Sequence, residues 1–250
     1  MKASLALALL LKPSSRQQTK VTVIEGSRVA QVIALLGQKT GNLKGYEQAI
    51  AHPAALGLPA FAGGKPEGYL FPATYPVQPK TPPAAVLKAM VSQFKAYAQR
   101  TGLQAAAAHG QETQAAVITV ASLLEAEGRP SDFRTIAEVI YNRLNMHMKL
   151  QLDTTVLYGM SLAHKSTFST SFPSPYNTYL HAGLPPGPID NPGSTAIGAA
   201  LRPLHGSYLY FLTIDSKTGK TLFFTNAAAF NAAVGKYGPN GGTGSRTGSG

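Results

Sequence analysis

The chain has 250 residues, 44% of them hydrophobic and 13% charged, enough for one large domain or two small ones and incompatible with a wholly disordered polymer. It contains no Cys, which rules out disulfides, thiolate metal sites and cysteine nucleophiles. Lys and Arg outnumber Asp and Glu by 22 to 11, a formal charge of +11. The basic residues are scattered without a dense run or interleaved aromatics, so the field favours anionic polymers or lipid headgroups, and no nucleic-acid site is marked.

Over residues 1–19, Lys2 precedes an apolar run from Ala3 to Leu11. That run is too short to span a bilayer and reads as a first strand or the remnant of a membrane anchor. Lys20 to Ile24 alternates and predicts a strand, and Gly26-Ser27 turns into a helix carrying Val29, Val32, Ile33 and Leu36 at helical spacing. A second short helix is expected over Tyr46 to Ala51, stopped by Pro53. Gly68 to Val77 reads as an edge strand or extended loop, because Pro72 and Pro76 cannot donate to a ladder. The result is a β-α-α-β module over 20–79.

Ala84 to Arg100 is an amphipathic helix, placed as a connector over 80–109 with a soft spot at Ala105 to Gly110. The second domain, 110–237, opens with a helix from Thr113 to Glu127 whose stripe is Val117, Val120, Ala121 and Leu124. Ser131 or Asp132 should cap the next helix, which runs to Leu144. Phe172 to Gly193 is rich in Pro, Gly and Asn, too long for an incidental loop and hence a functional one. Tyr208 to Thr213 and Thr221 to Thr225 predict a β-hairpin. Residues 238–250 are mostly Gly, Ser and Thr and read as a tail outside the fold. The class expected is α+β.

The six His residues show no ligand spacing, so no metal or cofactor is expected. Ser14, Ser131 and Ser174 lie in neither a nucleophile elbow nor a Ser-x-x-Lys pair, Ser161-Leu-Ala-His164 lacks the lysine, and Gly63-Gly64-Lys65 is an incomplete phosphate loop. Carboxylates remain. Glu125 falls on the apolar arc between Ile118 and Ala121, where desolvation would push its pKa upward, as a general acid needs. Glu127 also points toward apolar neighbours but sits at the helix end, where water or an ion pair is available. A structural Glu125 paired with Arg129 or Arg143 is an equal alternative on this evidence. Asp153 is a further candidate, with a helix N-cap as its plainer role.

Ala121-Ser-Leu-Leu-Glu125, Val139-Ile-Tyr-Asn-Arg-Leu144, Leu150-Gln-Leu-Asp153, Val156-Leu-Tyr-Gly159, Ser174-Pro-Tyr-Asn-Thr-Tyr179, Gly183-Leu-Pro-Pro-Gly-Pro-Ile189 and Asn191-Pro-Gly193 follow one another in this order. Together with Glu67-Gly-Tyr-Leu-Phe-Pro72, they resemble the MltG/YceG-like endolytic murein transglycosylases over 20–234. The resemblance implies a LysM-like N-terminal module and a lyase that cuts the MurNAc-β-1,4-GlcNAc bond of nascent peptidoglycan, leaving 1,6-anhydromuramic ends. Glu125 would be its one acid and base. No second carboxylate stands out, and none is needed when the sugar's own C6 hydroxyl attacks, whereas hydrolysis ordinarily takes two.

By the same resemblance Tyr176, Asn177 and Tyr179 would bind glycan, with Gln151 and Asp153 beside them. The partners implied are peptidoglycan strands and peptidoglycan synthases, at the outer face of the cytoplasmic membrane, reached through an N-terminal anchor that is missing or truncated here. Ala73, Thr154 and Phe230 depart from the family pattern, where Asp, Pro and His are common. The rival from another class is a non-catalytic peptidoglycan-binding module with a structural Glu125.

Overall fold

In the computed structural model, residues 18–104, 113–215 and 217–238 are described. The expected N-terminal strand or anchor remnant, the soft spot at 105–110 and all but the first residue of the tail lie outside them. The described chain is mixed α+β, with eight α-helices and two separate two-stranded sheets. No described helix is long and apolar enough to cross a membrane.

Strand β1 (Thr19–Thr22) pairs antiparallel with β2 (Thr74–Val77), Val21 opposite Tyr75. Between them run α1 (Val29–Thr40), ended by Gly41 in the left-handed region, and α2 (Leu43–Ile50), capped by the Asn42 side chain on the Gly45 N–H. Of the stretch expected as extended, only its last four residues pair, because the amides of Gly68 and Leu70 bond to the distant Asn191 side chain instead. Val21, Val32, Leu36, Leu56 and Leu70 form the smaller core. Helix α3 (Pro83–Arg100) serves both cores: Val86, Leu87, Met90 and Val91 face the smaller one, and Phe94 joins the larger.

The larger core is built around α4 (Gln114–Glu127), capped by the Thr113 hydroxyl and closed where the Gly128 N–H returns to the Leu124 carbonyl. Every residue from Val117 to Leu124 is buried; each large apolar side chain there contributes about 1.5–3 kcal/mol. Such a helix has neighbours all round: α5 (Phe133–Asn145), α6 (Asp153–Leu162) and α7 (Ser194–Leu201). Asp132 does hold the N-cap position of α5, but its side chain makes no capping bond. Asp153 is the first helical residue of α6 rather than its cap, which is Leu152.

A hairpin of β3 (Tyr210–Asp215) and β4 (Lys220–Phe224) carries α8 (Ala227–Tyr237). Phe230 of α8 is buried and stacks on Tyr210, centroids 5.3 Å apart, which makes it a core residue of the hairpin.

The Val139 to Leu144 motif is explained by what it ties together. The Tyr141 hydroxyl donates to the Ala200 carbonyl, and the Asn142 amide donates to the Gly206 and Tyr208 carbonyls. The Arg143 guanidinium donates from Nε to Leu209 and from Nη1 to Lys149 and Leu150, and lies 4.8 Å from the Tyr210 ring centroid. Three consecutive residues of α5, pointing in different directions, thus fix α7, the hairpin entry and the loop before α6.

Candidate active site

Helix α4 offers two polar side chains three residues apart on one face. The Ser122 hydroxyl donates to the Thr119 carbonyl and accepts the Ile189 N–H at 3.0 Å. One turn on, Glu125 Oε1 accepts the Gly193 N–H at 2.8 Å. The Ala-Ser-x-x-Glu motif therefore grips both ends of the segment Ile189 to Gly193. The Glu25 carboxylate lies against Gly193, where a Cβ would displace it.

The other wall comes from the N-terminal part of the chain. Glu67 Oε1 accepts the Val29 N–H at 2.8 Å and the Asn191 Nδ2 at 3.2 Å, and its Oε2 accepts the Tyr158 hydroxyl at 3.1 Å. Asn191 is fully buried and fully used: Oδ1 accepts from Gly68 and Leu70, Nδ2 also donates to the Ser27 carbonyl, and its backbone bridges to Gly26 and Ser27. Gly68 has φ +92° and packs on Pro188, leaving no room for a Cβ. The Arg28 guanidinium sits 5.3 Å from the Tyr158 ring centroid and donates to the Ser161 hydroxyl.

Three acids share this space. Burial pushes the Glu125 carboxyl up to about 7; the Gly193 N–H opposes the rise and Glu25 adds to it. Burial also lifts Glu67 to about 7, against its bonds to Val29 and Tyr158 and the charge of Arg28. Asp190 is 4% exposed and its Oδ1 has no hydrogen-bond partner. Desolvation and the nearby Glu125 and Glu67 charges raise it well above the usual carboxylate range, with Arg28 opposing. The site holds groups that can give and take protons near neutrality. Among the described residues no cluster of three or more His, Asp or Glu is arranged to hold a metal ion.

The partners considered for Glu125 in a structural role are engaged elsewhere: Arg129 with the Lys217 carbonyl, Arg143 with the carbonyls above. Glu127 is not at a watered helix end as its position suggests. It is 4% exposed and bonded by the Thr154 hydroxyl, because α6 packs over that end of α4.

Of the residues expected to bind glycan, only Tyr176 joins the acid cluster: it is half-buried, its ring 4.8 Å edge-to-face from Tyr158, and the Glu67 charge reaches its hydroxyl. Asn177 is fully buried and spends its amide on the Thr170 and Phe172 carbonyls and the Tyr179 N–H, shaping the loop. Tyr179 donates to the buried Asp153 carboxylate at 2.6 Å, and its hydroxyl lies in the field of Arg143. Gln151, with φ +53°, links this loop through its N–H to the Thr178 carbonyl. Glu67, Asp190 and Tyr158 escaped the sequence reading. Glu67 and Tyr158 lie inside quoted motifs, whose length was the one available signal, and nothing in the spacing marks Asp190.

The geometry has relatives. A protein of Bacillus subtilis (strain 168) described as an endolytic murein transglycosylase is 40% identical over 176 residues, 68% of this chain and 48% of its own. One of the same description from Streptococcus pneumoniae (strain ATCC BAA-255 / R6) is 31% identical over 245 residues, 86% of this chain and 44% of its own. The chain thus spans about half the length of the curated relatives it matches. The crystal structure of a yceG-like protein from Listeria monocytogenes superposes with a TM-score of 0.75 at 27% identity, covering 93% of this chain and 81% of the other. Residues 1–236 match the YceG-like family, and with the shared fold and the gripped Ser122–Glu125 face, the chain belongs to that family.

Proposed function

We propose that this protein is an endolytic lytic transglycosylase that cuts MurNAc-β-1,4-GlcNAc bonds in peptidoglycan, with Glu125 as its acid and base. The observation that carries the reading is a half-buried carboxyl, lifted to about 7 and fixed by the Gly193 N–H, on the wall of an acid-lined site. Protonated Glu125 gives its proton to the glycosidic oxygen as the C1–O bond breaks. The C6 hydroxyl of the muramic sugar then bonds to C1, and its proton returns to Glu125, so the enzyme ends as it began and no water is consumed. The work would be done in the cell envelope, at the outer face of the cytoplasmic membrane, on strands delivered by peptidoglycan synthases. The transglycosylase descriptions of the relatives support the substrate class.

Asp190 favours a second reading, hydrolysis. Two carboxyl groups at one glycosidic bond are the usual apparatus for activating water, and Asp190 lies close enough to Glu125 to feel its charge. The lyase reading stands first because burial and the neighbouring acids push the Asp190 carboxyl upward, away from the ionised form a general base needs. Mass spectrometry of products from purified peptidoglycan decides between them. Anhydromuramic ends from the wild type, absent with Glu125→Gln, are expected; reducing ends that vanish with Asp190→Asn would mean hydrolysis. Binding without cleavage would leave a peptidoglycan-binding module, a role in which the cost of desolvating Glu125 serves nothing.

A further inference from the structure

Gly193 faces two ways. Its N–H holds Glu125, and the next residue, Ser194, opens α7 and one end of a surface hollow that also takes in Tyr97, Arg134 and Arg202. Arg134 and Arg202 also line a second hollow running along α5, so both arginines are shared by the two hollows.

Arg134 is exposed and anchored by Nε on the Arg202 carbonyl at 2.7 Å. The Arg202 guanidinium lies back along α7 against Gly198, where a Cβ would be 3.5 Å from Nη2. Gly198 is four residues past Ser194, about 6 Å along the helix axis. The Tyr97 hydroxyl, which donates to the Ser194 carbonyl, lies in the fields of Arg202 and Arg100 and, more weakly, of the Glu25 carboxylate on the Gly193 side. Neither Arg134 nor Arg202 is paired with a carboxylate among the described residues. Planar guanidinium groups in such a hollow suit carboxylates, which they take in two-point hydrogen bonds.

We propose that the Arg134–Arg202 hollow is a subsite for a carboxylate of the peptide stem on the muramic sugar at the cleavage point. The proposal rests on the glycan-strand reading above. The stem leaves the sugar at the C3 lactyl group, and each extended residue adds about 3.3–3.6 Å. A free carboxylate two or three residues along is therefore roughly 7–11 Å out, a distance comparable with that from Gly193 to the Arg202 guanidinium. The site then has two polarities: acids that exchange protons at the bond, and fixed cations that hold the stem.

The test compares stem-bearing peptidoglycan strands with the same strands stripped of stems by an amidase. Wild type, Arg202→Gln, Arg202→Lys and the double variant R134Q/R202Q are assayed, each checked for folding by circular dichroism. On stem-bearing strands KM should rise about tenfold in Arg202→Gln, further in the double variant and less in Arg202→Lys, with kcat unchanged. On stripped strands all four should behave alike. Equal losses on both polymers, or none on either, would overturn the proposal. Calorimetric titration with free stem pentapeptide needs no cleavage: the wild type should bind it and the double variant should not. If the wild type cuts neither polymer yet this binding difference persists, the lyase reading fails and the subsite stands. If it cuts both with equal KM and binds no pentapeptide, the subsite fails alone.

Discussion

Arg143 and Asp190 are both almost hidden from solvent, at 1% and 4% exposure, yet their surroundings differ in kind. Arg143 meets three carbonyl oxygens and the face of Tyr210, and only Nη2 is left without a hydrogen-bond partner. Burial lowers its pKa to about 10, which still leaves a cation at neutral pH. Asp190 has an unbonded Oδ1 and two other acids for company. A buried charge whose bonding capacity is spent on the backbone holds chain segments together; one left wanting marks where protons move.

The largest effect should come from the acid side. Glu125→Gln keeps the shape and the Gly193 bond, so strand cleavage should fall by about 10²–10⁴-fold while the thermal transition does not drop. A parallel fall in folding would return Glu125 to a structural role. On the cation side the reverse is expected. Arg143→Met removes the donor to the Lys149, Leu150 and Leu209 carbonyls and the packing on Tyr210, and should cost about 3 kcal/mol in urea denaturation, with activity following the folded fraction.

Asn191→Leu tests the seam between the two halves. It strands the Gly68 and Leu70 amides, worth about 2–4 kcal/mol together, and hydrogen exchange should rise first at those two amides. Unchanged exchange there would mean the seam is held by packing alone.

The smallest effect is also the sharpest in sign. A carboxyl with a raised folded pKa binds its proton more tightly in the native state, so its contribution to stability is full below the unfolded pKa and is lost as pH climbs through the folded one. For Glu125 the window runs from 4.5 to about 7. Glu125→Gln should therefore match the wild type near pH 4 and exceed it at pH 8 by on the order of 1–3 kcal/mol, allowing for partial exposure. Asp190→Asn should move the same way. Denaturation at the two pH values checks both, and a wild type that gains stability toward pH 8 would contradict the desolvation account.

The helices with wide apolar stripes, α1, α3, α4 and α5, were legible from spacing, and so was the hairpin, because Tyr, Phe and Thr crowd into two short runs. Helices α7 and α8 were not. Ser194 to Leu201 and Ala227 to Tyr237 are rich in Ala, whose small side chains pack closely but draw no stripe. Glu125 could be found because the helix that buries it is local. Glu67 owes its environment to Val29, Tyr158 and Asn191, up to 124 residues away, and Asp190 lies in a Pro-rich segment without periodicity. The helical wheel placed Glu127 in the apolar direction but could not foresee that α6 would cover the end of α4.

Asn191 ties Ser27, Glu67, Gly68 and Leu70 to the segment that holds Glu125. A recombination event joining the first eighty residues of an unrelated protein to the rest of this one would have to supply the same amides and carbonyl at the same places, with a glycine facing Pro188. Few partners could meet that condition. The two halves should therefore travel together through descent, and a chimaera made at this seam would lose a wall of the acid-lined site along with its first eighty residues.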